Sequence, residues 1–324
     1  ILKKDATLYD FSEEAMGFAH DFMGWTDLAA NPGCNIEELT RFADEIASDG
    51  IDTVVLIGQG GSTQAPMTIT KYNQQDNNRL RFRTLDSVSP VRIRELYAGC
   101  DPKKTLFIIS SKSGGTIEPR SLLAAIRAEY ESEMGAAMAK HLVAITDPGT
   151  NLDQLAQSEG WRRVFHGLPE VGGRFSALTV FGLLPAALVG IDLAEFLAHA
   201  REAEVRCSED AIDNPAINLA AFLFDNYQQG RNKFSFLTPK RGRVLGLWIE
   251  QLVAESLGKN GQGILPNIEV DSLLLTEDPG DRSVIMYQTK TDLWDESRNF
   301  EMSLAYIDPN IPRQNYKIDS VMEL

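Results

Sequence analysis

The stretch "TLFIISSKSGGTIEPRSLLAAI" (105–126) passes from an apolar run through a loop of small polar residues into a segment with helical spacing. The apolar, β-branched run predicts a buried strand, and the spacing after Glu118 predicts an amphipathic helix. Strand, loop and helix in this order are typical of α/β proteins, in which parallel strands alternate with helices. This stretch therefore predicts the fold class of the region around it.

The same alternation extends along the first half of the chain. Strands are predicted in "TVVLIGQGGS" (53–62) and "RVFHGLP" (163–169), and also at 79–86, 105–111 and 141–147, with helices between them. Parallel pairing of such strands gives a doubly wound α/β sheet. A long apolar helix is then expected from about 174 to 190.

A second α/β unit is predicted to follow. The strand at 232–239, the helix at 244–256 and the strand at 283–289 repeat the pattern with fewer strands. We therefore expect two Rossmann-like subdomains, at 1–200 and 201–324, of which the second is incomplete.

Composition excludes several classes of function. The net charge of −15, from 46 acidic and 31 basic residues, argues against sequence-independent binding of nucleic acid or anionic membranes. Cys34, Cys100 and Cys207 lack metal-ligand spacing and are expected to be reduced thiols in a cytoplasmic protein. The apolar run at 177–191 contains Pro185 and is short for a membrane span, so we expect a buried helix.

The segment "VLIGQGGSTQAP" (55–66) places Gly60, Gly61 and Ser62 between a strand and a helix. Glycines let the backbone approach an anion, and the N–H groups at a helix N-terminus favour negative charge. The G-x-G-G-S spacing differs from the dinucleotide fingerprint G-x-G-x-x-G. On its own, this segment is either a tight turn or an anion site.

The loop within 110–119 has the same position between strand and helix. Ser111, Ser113 and Thr116 each carry a hydroxyl donor, and Lys112 adds a positive charge. Such a loop suits a phosphate monoester at the carboxyl ends of the strands. The alternative is a serine-rich helix cap with nothing bound.

Two further residues are candidates for chemistry. Arg174, in "VGGRFSALTVFGLL" (171–184), either pairs with a nearby carboxylate or stabilises a developing oxyanion. Glu255, in "LWIEQLVAESLGKNGQGILP" (247–266), lies where a predicted helix ends, at the unfavourable end of the helix dipole. It is either a solvated surface residue or a general base.

These segments together resemble the glucose-6-phosphate isomerases, whose two subdomains share the sugar-isomerase (SIS) fold. The resemblance rests on "GQGGS" (58–62), "SKSGGTIE" (111–118), "VGGRFS" (171–176) and "ESLGK" (255–259), which occur in the family's order. The loop sequences look closest to the isomerase half of bifunctional transaldolase/glucose-6-phosphate isomerases.

The resemblance implies an interconversion of glucose 6-phosphate and fructose 6-phosphate through a cis-enediolate. It assigns the substrate phosphate to Ser62, Ser111, Lys112, Ser113 and Thr116, and it places Gly60, Gly61 and Gly173 in the loops around the substrate. Glu255 would move the proton between C1 and C2, and Arg174 would steady the enediolate. No metal and no other cofactor is expected, and the resemblance implies a homodimer.

The chain also departs from the family pattern. No histidine follows His199, and the late lysine of the family is absent, so the ring-opening role and the lysine's role are unassigned. We therefore expect a C-terminally shortened chain. Two alternatives stay open: a noncatalytic phosphosugar-binding module, and an isomerase for a different phosphosugar.

Overall fold

The computed structural model describes residues 4–8, 12–72, 79–238, 242–268, 280–287 and 321–323. The chain divides into two compact units, Ile1–Val205 and Arg206–Leu324, which are described separately below. The structure divides the two units between Val205 and Arg206, within one helix, whereas the sequence analysis predicts the boundary after residue 200.

The first unit is built on a five-stranded sheet, and every strand is parallel to its neighbours. The strands lie in the order β2-β1-β3-β4-β5. Because neighbouring strands are parallel, each connection between successive strands crosses over the sheet, and each contains helical structure. The strands are β1 (Thr53–Ile57), β2 (Arg81–Leu85), β3 (Thr105–Ser110), β4 (Leu142–Thr146) and β5 (Arg163–His166). This sheet confirms the predicted α/β fold.

Helices connect and cover these strands. They are α1 (Glu13–Asp21), α2 (Ile36–Ser48), α3 (Gly61–Tyr72), α4 (Pro90–Ala98), α5 (Ile117–Met134), α6 (Asn151–Ser158), α7 (Val180–Leu188) and α8 (Leu193–Ser208). Local sequence explains where several of them begin. For example, the Asn35 side chain caps α2 by accepting a hydrogen bond from the Glu38 amide at 2.9 Å.

The core lies on both faces of this sheet because successive side chains of a strand point in opposite directions. Val55 and Ile57 of β1 belong to a cluster with Phe107 of β3 and with residues of α4, α5 and α6. Val54 and Leu56 are equally buried and face the other side, where α7 contacts α2 and α3. Burial on both faces explains why the three inner strands, β1, β3 and β4, have nearly continuous apolar sequences.

One long helix at 174–190 was predicted, and the structure shows two shorter ones. A 3₁₀ helix spans Gly173–Leu178, and α7 begins after it. Thr179 between them is extended, with ψ at −175°. Its hydroxyl donates to the Ser176 carbonyl at 2.8 Å and accepts from the Phe181 amide at 3.3 Å. The Thr179 side chain therefore ends the 3₁₀ helix and caps α7. Threonine is a common residue at helix ends because its hydroxyl bonds to nearby backbone groups.

The second unit has a four-stranded parallel sheet in the order β7-β6-β8-β9. Its elements are α9 (Pro215–Gln228), β6 (Lys233–Leu237), α10 (Arg243–Leu257), β7 (Leu265–Asn267), β8 (Arg282–Met286) and β9 (Val321–Glu323). β7 and β9 were not predicted, because three residues are too few to show a strand pattern. The incompleteness of this unit stays a prediction, since residues 288–320 lie outside the described residues.

The length and composition of the helices bear on the membrane question. Among the described residues, no helix combines the length and the apolar character that crossing a bilayer requires.

We expect Phe107→Ala to destabilise the protein strongly. Phe107 lies in the central strand β3, is 0% exposed and packs against the Tyr130 ring with centroids 5.9 Å apart. Truncation of a buried phenylalanine costs about 3–5 kcal/mol. Urea denaturation measures the loss, and Phe18→Ala, at a side chain that is 63% exposed, is the matched control. Equal losses in the two variants would contradict this packing.

Candidate active site

Three segments of the first unit meet beyond the carboxyl ends of its strands. They are the β1–α3 loop (58–61), the β3–α5 loop (111–116) and the 3₁₀ helix Gly173–Leu178. The β3–α5 loop is also held by the β4–α6 loop (147–150). The structure therefore brings together three of the four segments that the sequence analysis selected.

The β1–α3 loop touches the 3₁₀ helix directly, backbone to backbone. A Cβ atom added to Gly61 would overlap the carbonyl group of Gly173 and lie 2.6 Å from the Arg174 nitrogen. Only glycine at position 61 permits this approach. The contact explains how Ser62, at the start of α3, comes to share a site with Arg174.

Hydroxyls line the β3–α5 loop and its junction with α3. The Ser110 hydroxyl donates to the Ser62 carbonyl at 3.3 Å, which ties the end of β3 to the start of α3. The Ser111 hydroxyl donates to that of Thr116 at 3.2 Å. Ser111 and Ser62 are buried, whereas Ser113 is exposed.

The N-terminus of α5 faces this loop without the usual side-chain cap. Thr116 is the N-cap residue, yet its hydroxyl makes no capping bond and instead receives the Ser111 hydrogen bond. The first turn of this 18-residue helix presents the N–H groups of Ile117 and Glu118, which have no acceptor within the helix, and the positive end of the dipole at this point; Pro119 has no N–H group. The arrangement is suited to an anion such as phosphate.

The β4–α6 loop supports the β3–α5 loop from behind. Gly114 has a φ of +63°, and a Cβ atom at this position would lie 2.6 Å from the Thr150 side chain. The Thr150 and Thr146 hydroxyls are 2.7 Å apart, and the Thr146 hydroxyl also donates to the Lys112 carbonyl at 3.3 Å. Glycine is needed at 114 both for the turn and for this contact.

The Lys112 side chain is engaged within the protein. Its ammonium group pairs with Asp147 and donates to the carbonyls of Leu168 at 3.1 Å and Pro169 at 3.2 Å. The sequence analysis missed Asp147, although an available signal was its position as the last residue of a predicted strand, "HLVAITD" (141–147), at the same edge of the sheet. The assignment of Lys112 to the substrate phosphate stays a prediction.

Arg174 is half-buried in the 3₁₀ helix. Its guanidinium carbon lies 5.0 Å from the centre of the Phe175 ring, which in turn stacks on Trp25 with centroids 5.1 Å apart. This stack holds the segment that carries Arg174, whose backbone nitrogen lies next to Gly61.

Glu255 belongs to the second unit. It lies in the last turn of α10, as predicted, and is exposed. Gln251, one turn earlier, donates to its carboxylate at 3.2 Å. Its role as a base stays a prediction from the sequence.

A metal site requires several ligand side chains close together. In the part of the chain that the structure describes, no group of three or more His, Cys, Asp or Glu residues is placed to hold a metal ion.

Comparison with known proteins decides the family. A family model described as phosphoglucose isomerase matches residues 42–271, which is well over half of the chain. The chain belongs to the phosphoglucose isomerase family. It is 34% identical over 237 residues to a glucose-6-phosphate isomerase of Desulfitobacterium hafniense (strain Y51). The resemblance inferred from the four motifs is thereby confirmed.

Solved structures show the same fold. A hypothetical protein from Thermus thermophilus superimposes with a TM-score of 0.78 at 26% identity, covering 100% of this chain and 83% of that one. A glucose-6-phosphate isomerase from Chlamydia trachomatis gives a TM-score of 0.70 at 20% identity, covering 94% and 63%. The second likeness is evidence of the fold alone.

Coverage limits what the family membership says of the whole protein. The match to the D. hafniense isomerase covers 69% of this chain and 44% of that relative. The chain therefore spans less than half the length of this phosphoglucose isomerase.

We expect Gly61→Ala to weaken the binding of a sugar phosphate. The new methyl group would push the 3₁₀ helix away from α3, at a strain typical of overpacked sites, about 1–3 kcal/mol. Calorimetric titration with glucose 6-phosphate measures the change in Kd. Gly17→Ala is the control, because a Cβ atom there meets nothing within 4 Å. Unchanged affinity in Gly61→Ala would contradict the contact.

Asp153 holds the β4–α6 loop by hydrogen bonds, so we expect the stability of the protein to depend on the ionisation of this carboxylate. This buried carboxylate accepts hydrogen bonds from the Gly149 amide at 2.7 Å and Gln157 at 2.5 Å, and lies 3.1 Å from the His166 ring nitrogen. Burial raises the pKa of Asp153, but these hydrogen bonds outweigh it and hold the pKa below its usual value.

The folded-state pKa of Asp153 is thus lower than that of the unfolded chain. Its contribution to stability is present above the ordinary value of about 4 and is lost as pH falls through the lowered value. We expect Asp153→Asn to lower Tm at neutral pH by more than at acidic pH, so that the two melting curves converge on acidification. The exposed Asp21→Asn is the control. A difference in Tm that does not depend on pH would contradict the assignment.

Proposed function

We propose that the protein isomerises glucose 6-phosphate and fructose 6-phosphate, and that its first unit holds the substrate phosphate. The observation that carries the proposal is the uncapped N-terminus of α5 beside the Ser111 and Thr116 hydroxyls, with the end of β3 bonded to the start of α3, which packs against the segment that carries Arg174. Membership of the phosphoglucose isomerase family supports the class of reaction.

In this proposal the phosphate is bound by hydroxyls and by a helix N-terminus. Ser62, Ser111, Ser113 and Thr116 donate hydrogen bonds to phosphate oxygens, and the first turn of α5 supplies backbone N–H groups. Gly60, Gly61 and Gly173 let the backbone come close to the substrate. Local donors therefore hold an anion in a protein with a net charge of −15.

The chemical step requires a base and a group that stabilises negative charge. Glu255 removes the proton from C2 of the open-chain aldose and returns it to C1. The C2 hydroxyl proton moves to the former carbonyl oxygen at C1, so that O1 passes through an enediolate oxygen to a hydroxyl and O2 becomes the new carbonyl oxygen. Arg174 stabilises the enediolate oxygen while it is negatively charged. Both of the protons that move, and the electrons of the bonds they leave, stay within the substrate and Glu255. The step therefore balances without an oxidant.

The setting of the enzyme is part of the proposal. We propose that it works in the cytoplasm as a homodimer. The free thiols of Cys34, Cys100 and Cys207 suit a reducing compartment. Size-exclusion chromatography with light scattering tests the dimer. The likeness of the loop sequences to the isomerase half of transaldolase/glucose-6-phosphate isomerase fusions stays a prediction.

We expect Glu255→Gln to lower turnover strongly while binding is retained. Loss of a general base lowers kcat by about 10²–10⁴, and loss of an oxyanion-stabilising group such as Arg174 lowers it by about 10²–10³. A coupled assay of fructose 6-phosphate formation, on the full natural protein, measures kcat and KM. Glu250→Gln, at an exposed glutamate of the same helix, is the control.

Two outcomes would contradict the proposal. Full activity in Glu255→Gln would remove the base from the mechanism. Binding of glucose 6-phosphate without any turnover by the wild-type protein would indicate a noncatalytic phosphosugar-binding module. Turnover of another phosphosugar in preference to glucose 6-phosphate would change the substrate and keep the site.

A further inference from the structure

The ammonium group of Lys112 has three hydrogen-bond partners inside the protein. An ammonium has three N–H donors, and here the acceptors are the Asp147 carboxylate and the carbonyls of Leu168 and Pro169. The Lys112 and Asp147 side chains are only 20% and 15% exposed. The cation in the middle of the hydroxyl-rich loop is therefore directed to protein acceptors.

These acceptors belong to two other parts of the site. Asp147 opens the β4–α6 loop, and its amide also donates to the Lys112 carbonyl at 3.1 Å. Leu168 and Pro169 lie in the segment that leaves β5 and runs to Arg174. The Leu168 carbonyl also accepts from the Val171 amide at 3.1 Å. One side chain thus links the β3–α5 loop to the segment that leads to Arg174.

Asp147 depends on this lysine for charge compensation. Its second carboxylate oxygen, Oδ1, is buried and has no hydrogen-bond partner among the described residues. If the Lys112 ammonium moved to bind a phosphate, Asp147 would be left as a buried carboxylate without its cation. Removing one partner of a buried ion pair is strongly unfavourable, so the lysine is retained where it is.

We propose that the Lys112 side chain is a positioning residue that sets the distance between the phosphate-binding hydroxyls and Arg174. The phosphate contacts then come from the hydroxyls and the N-terminus of α5, and the lysine acts through Asp147 and the 168–169 carbonyls. This inference rests on the proposed isomerase function, since it concerns how the two ends of the same substrate are held.

Such a role has a distinct kinetic signature. Phosphate binding supplies affinity for the whole substrate, whereas the placement of Arg174 matters when negative charge develops on the enediolate. Loss of the link should therefore lower kcat and leave the affinity for phosphate nearly unchanged. A lysine that binds phosphate directly would instead raise Kd and KM when it is removed.

The experiment compares Asp147→Asn, Lys112→Met and the double variant with Ser113→Ala, the reference for a direct phosphate ligand. Each is made in the full natural protein. The assays are the kcat and KM of isomerisation and the Kd of inorganic phosphate by calorimetry. We expect Asp147→Asn and Lys112→Met to lower kcat by about tenfold to a hundredfold, as small misplacements of catalytic groups do. The Kd for phosphate should change by less than about threefold, and the double variant should be no worse than the worse single variant.

Asp147→Asn separates the two roles most sharply, because it changes one atom and preserves the shape of the side chain. If Lys112 binds phosphate, this variant releases the ammonium group and tightens phosphate binding. Tighter phosphate binding in Asp147→Asn, or a Kd in Lys112→Met raised as much as in Ser113→Ala, would overturn the proposal.

Hydrogen exchange separates failure of this inference from failure of the proposed function. The amides of Val171 and Phe175 donate to Leu168 and Gly172, and they should exchange faster in Lys112→Met and in Asp147→Asn. This readout needs no isomerase activity. If these amides exchange faster in the variants and the wild-type protein has no isomerase activity, only the isomerase proposal is contradicted. If the exchange rates of these amides do not change and the wild-type protein is active, only the proposed role of Lys112 is contradicted.

Discussion

Direct backbone contact between the start of α3 and the 3₁₀ helix at 173–178 is the constraint on which the candidate site depends. Gly61 packs against Gly173 so closely that no side chain fits between them. Parallel pairing places the β1–α3 and β3–α5 loops at the same edge of the sheet. The contact at Gly61 then adds Arg174 to that edge. The loops proposed to bind phosphate and the backbone of Arg174, from a distant part of the sequence, thereby become neighbours.

The electrostatics of the site follow from local geometry and not from the net charge. The protein carries a net charge of −15, yet the N-terminus of α5 and the surrounding hydroxyls provide donors for an anion. The most conspicuous cation of the loop, Lys112, is compensated by Asp147. In the proposed function, the site therefore binds a phosphate through oriented dipoles, which require rigid support. That support comes from the β4–α6 loop, where the Thr150 side chain packs against Gly114.

Much of this architecture could be predicted from the sequence. The three inner strands of the first sheet, β1, β3 and β4, have nearly continuous apolar runs because both of their faces are buried. The glycine- and serine-rich loops follow two of those strands, so their meeting at one edge was predictable. Side-chain partners that are distant in sequence could not be predicted, because a local pattern does not show which distant residue a side chain contacts. The pairing of Lys112 with Asp147, for example, joins residues 35 positions apart. The break at Thr179 escaped prediction because its hydroxyl competes with helical hydrogen bonds inside an apolar run.

The position of the phosphate group in crystals of the full natural protein grown with glucose 6-phosphate tests the central claim most directly. The account predicts a phosphate at the N-terminus of α5, within hydrogen-bond distance of the Ser111, Ser113 and Thr116 hydroxyls. The C1–C2 end of the sugar should lie toward Arg174, and the Lys112 ammonium should still be bound to Asp147. A phosphate bound elsewhere, or a sugar whose C1–C2 end points away from Arg174, would contradict the account.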